Sequence, residues 1–349
     1  MKKWRIWLNI ITIALLVLAV YLGRHQVAQA WGLIGKVNLW LFMLIIPIQF
    51  LSYYAVGEVM FSYLRDKKEL KNMSRWAMAR TALELNFVNH IIPIPTFAGF
   101  SYLGWILGHY GVSAGRATMA QLIRYVTLFV SFLVMIILSI VVLFFDIGVD
   151  KRTIFISEVL VIATIVGLFL LIYFIGSKRR LIKLSRWLTN FVNRLISAVT
   201  FGKKRQTLKF DNVQNFMVDL HQDYLEINAD KKILVKPLLW AVFANILDVL
   251  LIEIAFMALG TWVNPAVLAV AYGIAAFVAI FAATPGGSGV YEAIMIAFIV
   301  AAGVPAGLAI AGTLLARVTL FAGTILFGYI SYQLSINKYG KISDSNIQR

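Results

Sequence analysis

Long apolar runs separated by short, mostly basic loops set the rhythm of this chain. Residues 1–23, 39–61, 117–145, 153–176, 237–260 and 305–336 each supply about the 20 apolar residues that a spanning helix needs, so six spanning helices are predicted. Two further apolar stretches, 80–110 and 264–302, break this pattern. The first is interrupted at Pro93 and Pro95, the second at Pro285-Gly286-Gly287. Residues 80–110 are too few to cross a bilayer twice at about 20 residues per crossing. Both stretches read as re-entrant helical hairpins, which are tolerated at membrane depth only where protein buries the exposed backbone or a watery cavity takes it up.

Basic residues then orient the elements. From Ser177 to Phe210 there are ten Lys or Arg and no Asp or Glu, which places this linker in the cytoplasm. The loop after residue 61 carries Arg65, Lys67, Lys68, Lys71, Arg75 and Arg80 and belongs on the same side. Parity makes the first hairpin start and end inside and the second start and end outside, with both termini cytoplasmic. Within the linker, Leu181, Leu184, Leu188, Phe191, Leu195 and Val199 share one helical face, an amphipathic helix for the inner leaflet.

The chain is also duplicated. Gly111 to Phe129 and Gly303 to Phe321 agree at ten of nineteen positions, and each follows a proline-centred break. Mirrored breaks in two halves mark inverted-topology transporters and their binding sites. The fold expected is an all-α polytopic membrane protein: about six spanning helices plus two re-entrant hairpins in an inverted repeat. Its parts are a signal-anchor helix and outer interfacial helix (1–38), a first repeat with a connecting helix (39–176), the basic linker (177–235), a second repeat (236–336) and a tail (337–349). The apolar run at the N-terminus exceeds the roughly 7–15 residues of a cleaved signal, so a retained anchor is expected.

Composition removes several function classes. Hydrophobic residues make up 61% and charged residues 14%, too apolar for a water-soluble core. The net charge of +16 sits at helix ends and in one linker, which fits anionic lipid headgroups rather than nucleic acid. There is no cysteine, and the four histidines are scattered, so neither a metal site nor a cofactor is expected.

The remaining polar residues inside apolar runs are the functional candidates. Arg317 lies in the apolar helix LLARVTLF; Arg124 and Tyr125 occupy the corresponding region of the first repeat. The loop Pro285-Gly286-Gly287-Ser288-Gly289 can expose backbone amides to an anion, with Tyr291 and Glu292 just beyond it. Thr96 and Ser101 accompany the first break. An ion pair between Arg317 and Glu292 is the structural alternative. Asp248, Glu253 and Glu84 can each pair with an arginine or carry a proton. Glu58 and Glu84 lie nearer the cytoplasmic interface, where snorkelling to water is expected, and Glu84, Asn86, Asn89 and His90 form a polar cluster entering the first hairpin.

The stretches PIPTFAGFSYLGWILGHYGVSAGRATMAQLIRY (93–125) and ATPGGSGVYEAIMIAFIVAAGVPAGLAIAGTLLARVTLF (283–321) resemble the transmembrane region of lysylphosphatidylglycerol synthases, the flippase domain of the multiple peptide resistance factor. The resemblance implies a plasma-membrane lipid translocase for an anionic or aminoacylated phospholipid, such as phosphatidylglycerol or its lysyl ester, or for a lipid-linked envelope precursor. In full-length relatives a separate cytosolic domain performs aminoacyl transfer; a stand-alone form without it is expected here. The first break departs from a glycine-rich loop, reading Pro93-Ile94-Pro95-Thr96-Phe97. Two other readings stay open: a phosphatidylglycerol lysyltransferase, and a non-catalytic partner of an envelope glycosyltransferase. The partners implied are membrane phospholipid and, as open alternatives, a second copy of the chain or an envelope-synthesis enzyme.

Overall fold

The computed structural model describes residues 37–91, 95–145, 176–199, 227–279, 287 and 289–340, with isolated helical positions between 155 and 174 and between 214 and 225. Its described elements are helices: α1 (Leu39–Asp66), α2 (Arg75–Ile91), α3 (Pro95–Gly108), α4 (Ala114–Phe145), α5 (Lys178–Val199), α6 (Val235–Ala258), α7 (Pro265–Ala279), α8 (Val290–Ala301), α9 (Ala306–Gly323) and α10 (Tyr329–Tyr339). A 3-10 turn, Lys231–Leu234, leads into α6, and a π-helical turn, Thr324–Gly328, joins α9 to α10. Among the described residues four stretches are long and apolar enough to cross a membrane: Leu39–Asp66, Ala114–Phe145, Lys231–Ala258 and Ala306–Tyr339. They coincide with four of the six predicted spans. The other two, 1–23 and most of 153–176, fall outside the described residues, as does the interfacial helix before residue 37.

The two interrupted stretches become helix pairs too short to cross singly. At 1.5 Å per residue, α2 and α3 are about 25 and 21 Å long and α7 and α8 about 22 and 18 Å, against a hydrocarbon core of roughly 30 Å. Within each pair the two helices pack on one another, so each pair folds back as a hairpin.

The ends of the helices show that the two halves run in opposite directions. At one end of α1 the Asn38 amide donates to Ala258 O at 2.8 Å; at its other end Lys236 Nζ meets Asp66 Oδ1 at 2.7 Å. α1 and α6, the first span of each half, are therefore antiparallel along their whole lengths. The second spans behave alike: Tyr110, just before α4, meets Tyr339, at the end of α10, through their hydroxyls at 2.7 Å. The packed pairs match across the halves. α1 lies on α2 and α4 as α6 lies on α7 and α9; α3 lies on α4 as α8 lies on α9; α4 lies on α7 as α2 lies on the π turn and α10.

Two core clusters divide the molecule by height. One gathers Tyr63, Leu64, Met73, Leu107 and Val112 with Ile336 and Tyr339, at the base of the first hairpin. The other gathers Leu143, Val263, Ala266, Ile299 and Ala309, at the base of the second. The hairpins thus enter from opposite ends. α5 lies in the linker: Leu181 and Ser185 are buried, Lys183, Arg186 and Trp187 are exposed, and Arg180 stacks on the Tyr173 ring at 3.7 Å, while the side chains at 188, 191, 195 and 199 of the expected apolar face lie outside the described residues.

Close helix approach depends on small residues at the crossings. A Cβ on Gly312 would lie 2.4 Å from the Phe256 ring, where α9 crosses α6. Gly312→Val is expected to cost about 1–3 kcal/mol through overpacking, read as a lower melting temperature in detergent; an unchanged melting temperature would show that this crossing yields.

Candidate functional site

Where the two halves meet, α1, α2, α4, α6, α7, α8 and α9 enclose a cavity of about 320 Å³. That volume holds a small polar group rather than a whole lipid. Its polar wall includes Arg124, Arg317, Asp248, Asn86 and His90; Leu128, Phe132 and Ile136 of α4 supply part of the apolar wall.

The two arginines differ in their surroundings. Arg317 donates through Nε to Glu292 Oε1 at 2.8 Å, and its guanidinium lies over the rings of Tyr291 and Phe321 at 4.4 and 4.5 Å. Glu292 is fixed in turn by its other oxygen, which accepts the Gly289 amide at 2.5 Å as part of a capping box at the start of α8. That turn needs glycine: φ is +71° at Gly287 and +89° at Gly289, a region that side chains disfavour. The ion-pair alternative for Arg317 and Glu292 is what the structure shows.

Arg124 is only 8% exposed and has no carboxylate beside it among the described residues. Its one hydrogen bond runs from Nη1 to Gln121 Oε1 at 3.4 Å, its Nε has none, and the Tyr125 ring lies 5.5 Å from the guanidinium carbon. The Asn86 side-chain amide, also on the cavity wall, lies within reach of the Tyr53 hydroxyl. A buried arginine is costly unless its charge and its N–H groups are met. A cationic donor on the wall of such a cavity has the chemistry to hold an anion.

Asp248 pairs with neither arginine. Its Oδ1 accepts from Ser52 Oγ at 2.5 Å and its Oδ2 from Tyr272 OH at 2.8 Å, joining α6 to α1 and α7. Glu253 lies outside the cavity lining, with the Val263 amide 3.4 Å from Oε1. Of the two roles open to it, pairing with an arginine is not seen among the described residues: it faces the turn between α6 and α7.

Glu84 and Glu58 correct the snorkelling expectation. Glu84 is fully buried, within 3.1 Å of Arg80 Nε, and accepts from Tyr102 OH at 2.7 Å and Ser335 Oγ at 2.6 Å. It ties the first hairpin to α10. Glu58 is 4% exposed and paired with Arg65 along α1. Both carboxylates find partners inside the protein, which removes the need to reach water.

The structure brings Arg124, Tyr125, Tyr291, Arg317 and Asp248 to one cavity, while Ser101 is exposed on α3 and away from it. Of the loops, Gly287 and Gly289 are described; Pro285, Gly286, Ser288 and the side chain of Thr96 lie outside the described residues. Residue patterns alone did not single out Ser52, Tyr53 or Tyr272 as site residues. Tyr53 bonds to Thr324 at the π turn and, at 3.3 Å, to Leu320 O, a role invisible in a sequence where tyrosines abound. Asn86 and His90, four residues apart on α2, carried a readable signal, since polar residues at that spacing share a helix face.

A family model described as the lysylphosphatidylglycerol synthase TM region matches residues 6–328. The match spans nearly the whole chain, and the chain belongs to that family. No curated protein matches it.

Proposed function

We propose that this member of the lysylphosphatidylglycerol synthase transmembrane-region family is a lipid translocase whose central cavity takes the anionic, phosphate-bearing headgroup of a membrane lipid while the acyl chains stay in the bilayer. The observation that carries this reading is Arg124, a buried cation with an idle Nε and no carboxylate beside it among the described residues, facing a cavity between two opposed halves. Guanidinium recognises phosphate through planar N–H pairs, which suits a buried arginine on a cavity wall. The Tyr125 ring offers the headgroup's glycerol an apolar yet polarisable wall.

Opposed hairpins supply the access. Rocking one half against the other would open the cavity first to one leaflet and then to the other. At one end this motion must part Glu84 from Ser335 and Tyr110 from Tyr339; at the other it must part the Asn38 amide from Ala258. We assign the first of these ends to the cytoplasm, because the loop from 65 to 80 is basic and lies there.

The test is leaflet exchange in vesicles. The purified chain in phosphatidylcholine liposomes is expected to accelerate exchange of fluorescent phosphatidylglycerol over protein-free liposomes, read by chemical quenching of the outer leaflet. Excess unlabelled anionic lipid should compete. Failure to accelerate phosphatidylglycerol, its lysyl ester and a polyprenyl phosphate alike would overturn the proposal.

A further inference from the structure

We infer that the cavity is a joint site for a lipid phosphate and a proton, with Asp248 carrying the proton, so that an anionic headgroup and a proton cross together. The inference rests on the lipid-transport reading and adds its coupling.

The count of charges on the cavity wall leads to it. Arg317 is balanced by Glu292. That leaves Arg124 and Asp248, of opposite sign, sharing one cavity without touching. With the cavity empty of lipid they cancel. A phosphodiester brings one more negative charge, which leaves the cavity with an excess carboxylate in surroundings that screen charge less than water does. A proton on Asp248 restores neutrality. The linkage is mutual: phosphate on Arg124 favours the proton, and the proton favours phosphate.

The partners of Asp248 suit a group that changes protonation state. Both Ser52 and Tyr272 are hydroxyls, which donate to a carboxylate and can accept from a carboxylic acid. An arginine or a backbone amide can only donate, so neither could accept the O–H of the acid. Asp248 is half-buried, as Arg317, Tyr125 and His90 are, and is the one carboxylate on the cavity wall among the described residues, so water in the cavity can reach it.

Other titratable groups face the same space. His90 on α2 engages Asn86 O through Nδ1 at 2.8 Å, and Tyr53 on α1 is bonded to Thr324. Tyr125 on α4 and Tyr291 on α8 lie against Arg124 and Arg317. None of these combines an open face with hydroxyl partners at both acceptor atoms. His90 is the rival proton carrier and enters the test.

Electroneutral co-transport predicts direction. Protons moving down their gradient draw an anionic lipid with them; a headgroup of net positive charge would not be drawn the same way. Phosphatidylcholine vesicles containing the full-length chain, fluorescent phosphatidylglycerol and a lumenal pH dye measure both fluxes. With acid outside, phosphatidylglycerol is expected to accumulate in the inner leaflet by about tenfold per pH unit at one proton per lipid, with matching lumenal acidification. Asp248→Asn should abolish the protons counted per lipid moved, Asp248→Glu should restore them, and His90→Gln should leave that ratio as it is. Lipid exchange by the wild-type chain that ignores the gradient and moves no protons overturns this inference and leaves the transport reading standing. A ratio lost in His90→Gln but kept in Asp248→Asn also overturns it. No lipid movement under any gradient removes the transport reading itself, and this one with it.

Discussion

Arg124→Gln is expected to reduce lipid exchange at least about tenfold, the loss that follows when a charge-assisted hydrogen bond worth about 1.5–3 kcal/mol is removed. Stability should move the other way. Arg124 is buried, makes one long hydrogen bond of 3.4 Å to Gln121, and leaves its Nε idle. Arginine within a membrane core costs about 2.5–3.5 kcal/mol on insertion scales. Arg124→Met, which keeps the unbranched stem and removes the charge, should therefore raise the melting temperature in detergent while exchange falls. The combination of higher stability and lost transport identifies a residue kept for its ligand. A variant that loses both together would mean that Arg124 holds the fold and would count against the headgroup reading.

Glu292→Gln should show the opposite pattern, a large loss of stability. Glutamine can still cap α8 from the third position, so this change isolates the ion pair with Arg317. Both partners are nearly buried, with side chains 11% and 7% exposed. Breaking a buried pair from one side costs about 3–5 kcal/mol, because the surviving charge is stranded. The double change Glu292→Gln with Arg317→Met should cost less than Glu292→Gln alone, since nothing is then left unpaired. Thermal unfolding of the four proteins closes the cycle. A double variant as damaged as the sum of its parts would show that Glu292 and Arg317 act separately.

These contrasting outcomes arise from one mismatch within the repeat, Arg124-Tyr125 against Ala316-Arg317. Aligned by sequence, the arginines are one position apart. In a helix one position is about 100° of rotation, enough to present a side chain to different neighbours. One arginine meets the carboxylate that caps α8; the other meets Gln121, the Tyr125 ring and the cavity. Residue type marked both positions as sites. It could not say which charge was already met, because Glu292 lies 25 residues from Arg317 and reaches it only through the fold of the second hairpin.

The same limit explains the glutamates. Their nearness to basic loops suggested side chains reaching for water, yet Glu84 is met by Tyr102 and by Ser335, the latter 251 residues away. Charge patterning sees local composition, whereas burial of a polar group depends on partners that long-range packing supplies. Asp248 was legible as an intramembrane carboxylate. That its partners are hydroxyls from α1 and α7, and not an arginine, was not.

What the sequence determined by itself is the helical class, four of the spans, the two broken segments, their mirrored placement and the family. Each rests on local signals: apolar length, proline and glycine breaks, loop charge, and a repeat with ten identities. Only the tertiary structure decided the antiparallel pairing of α1 with α6, the cavity between the halves, and the division of two similar arginines into one paired with a carboxylate and one without a carboxylate beside it among the described residues. The reason is physical. A bilayer enforces helix length and backbone satisfaction segment by segment, so those can be read along the chain. Electrostatic compensation is a property of which segments touch.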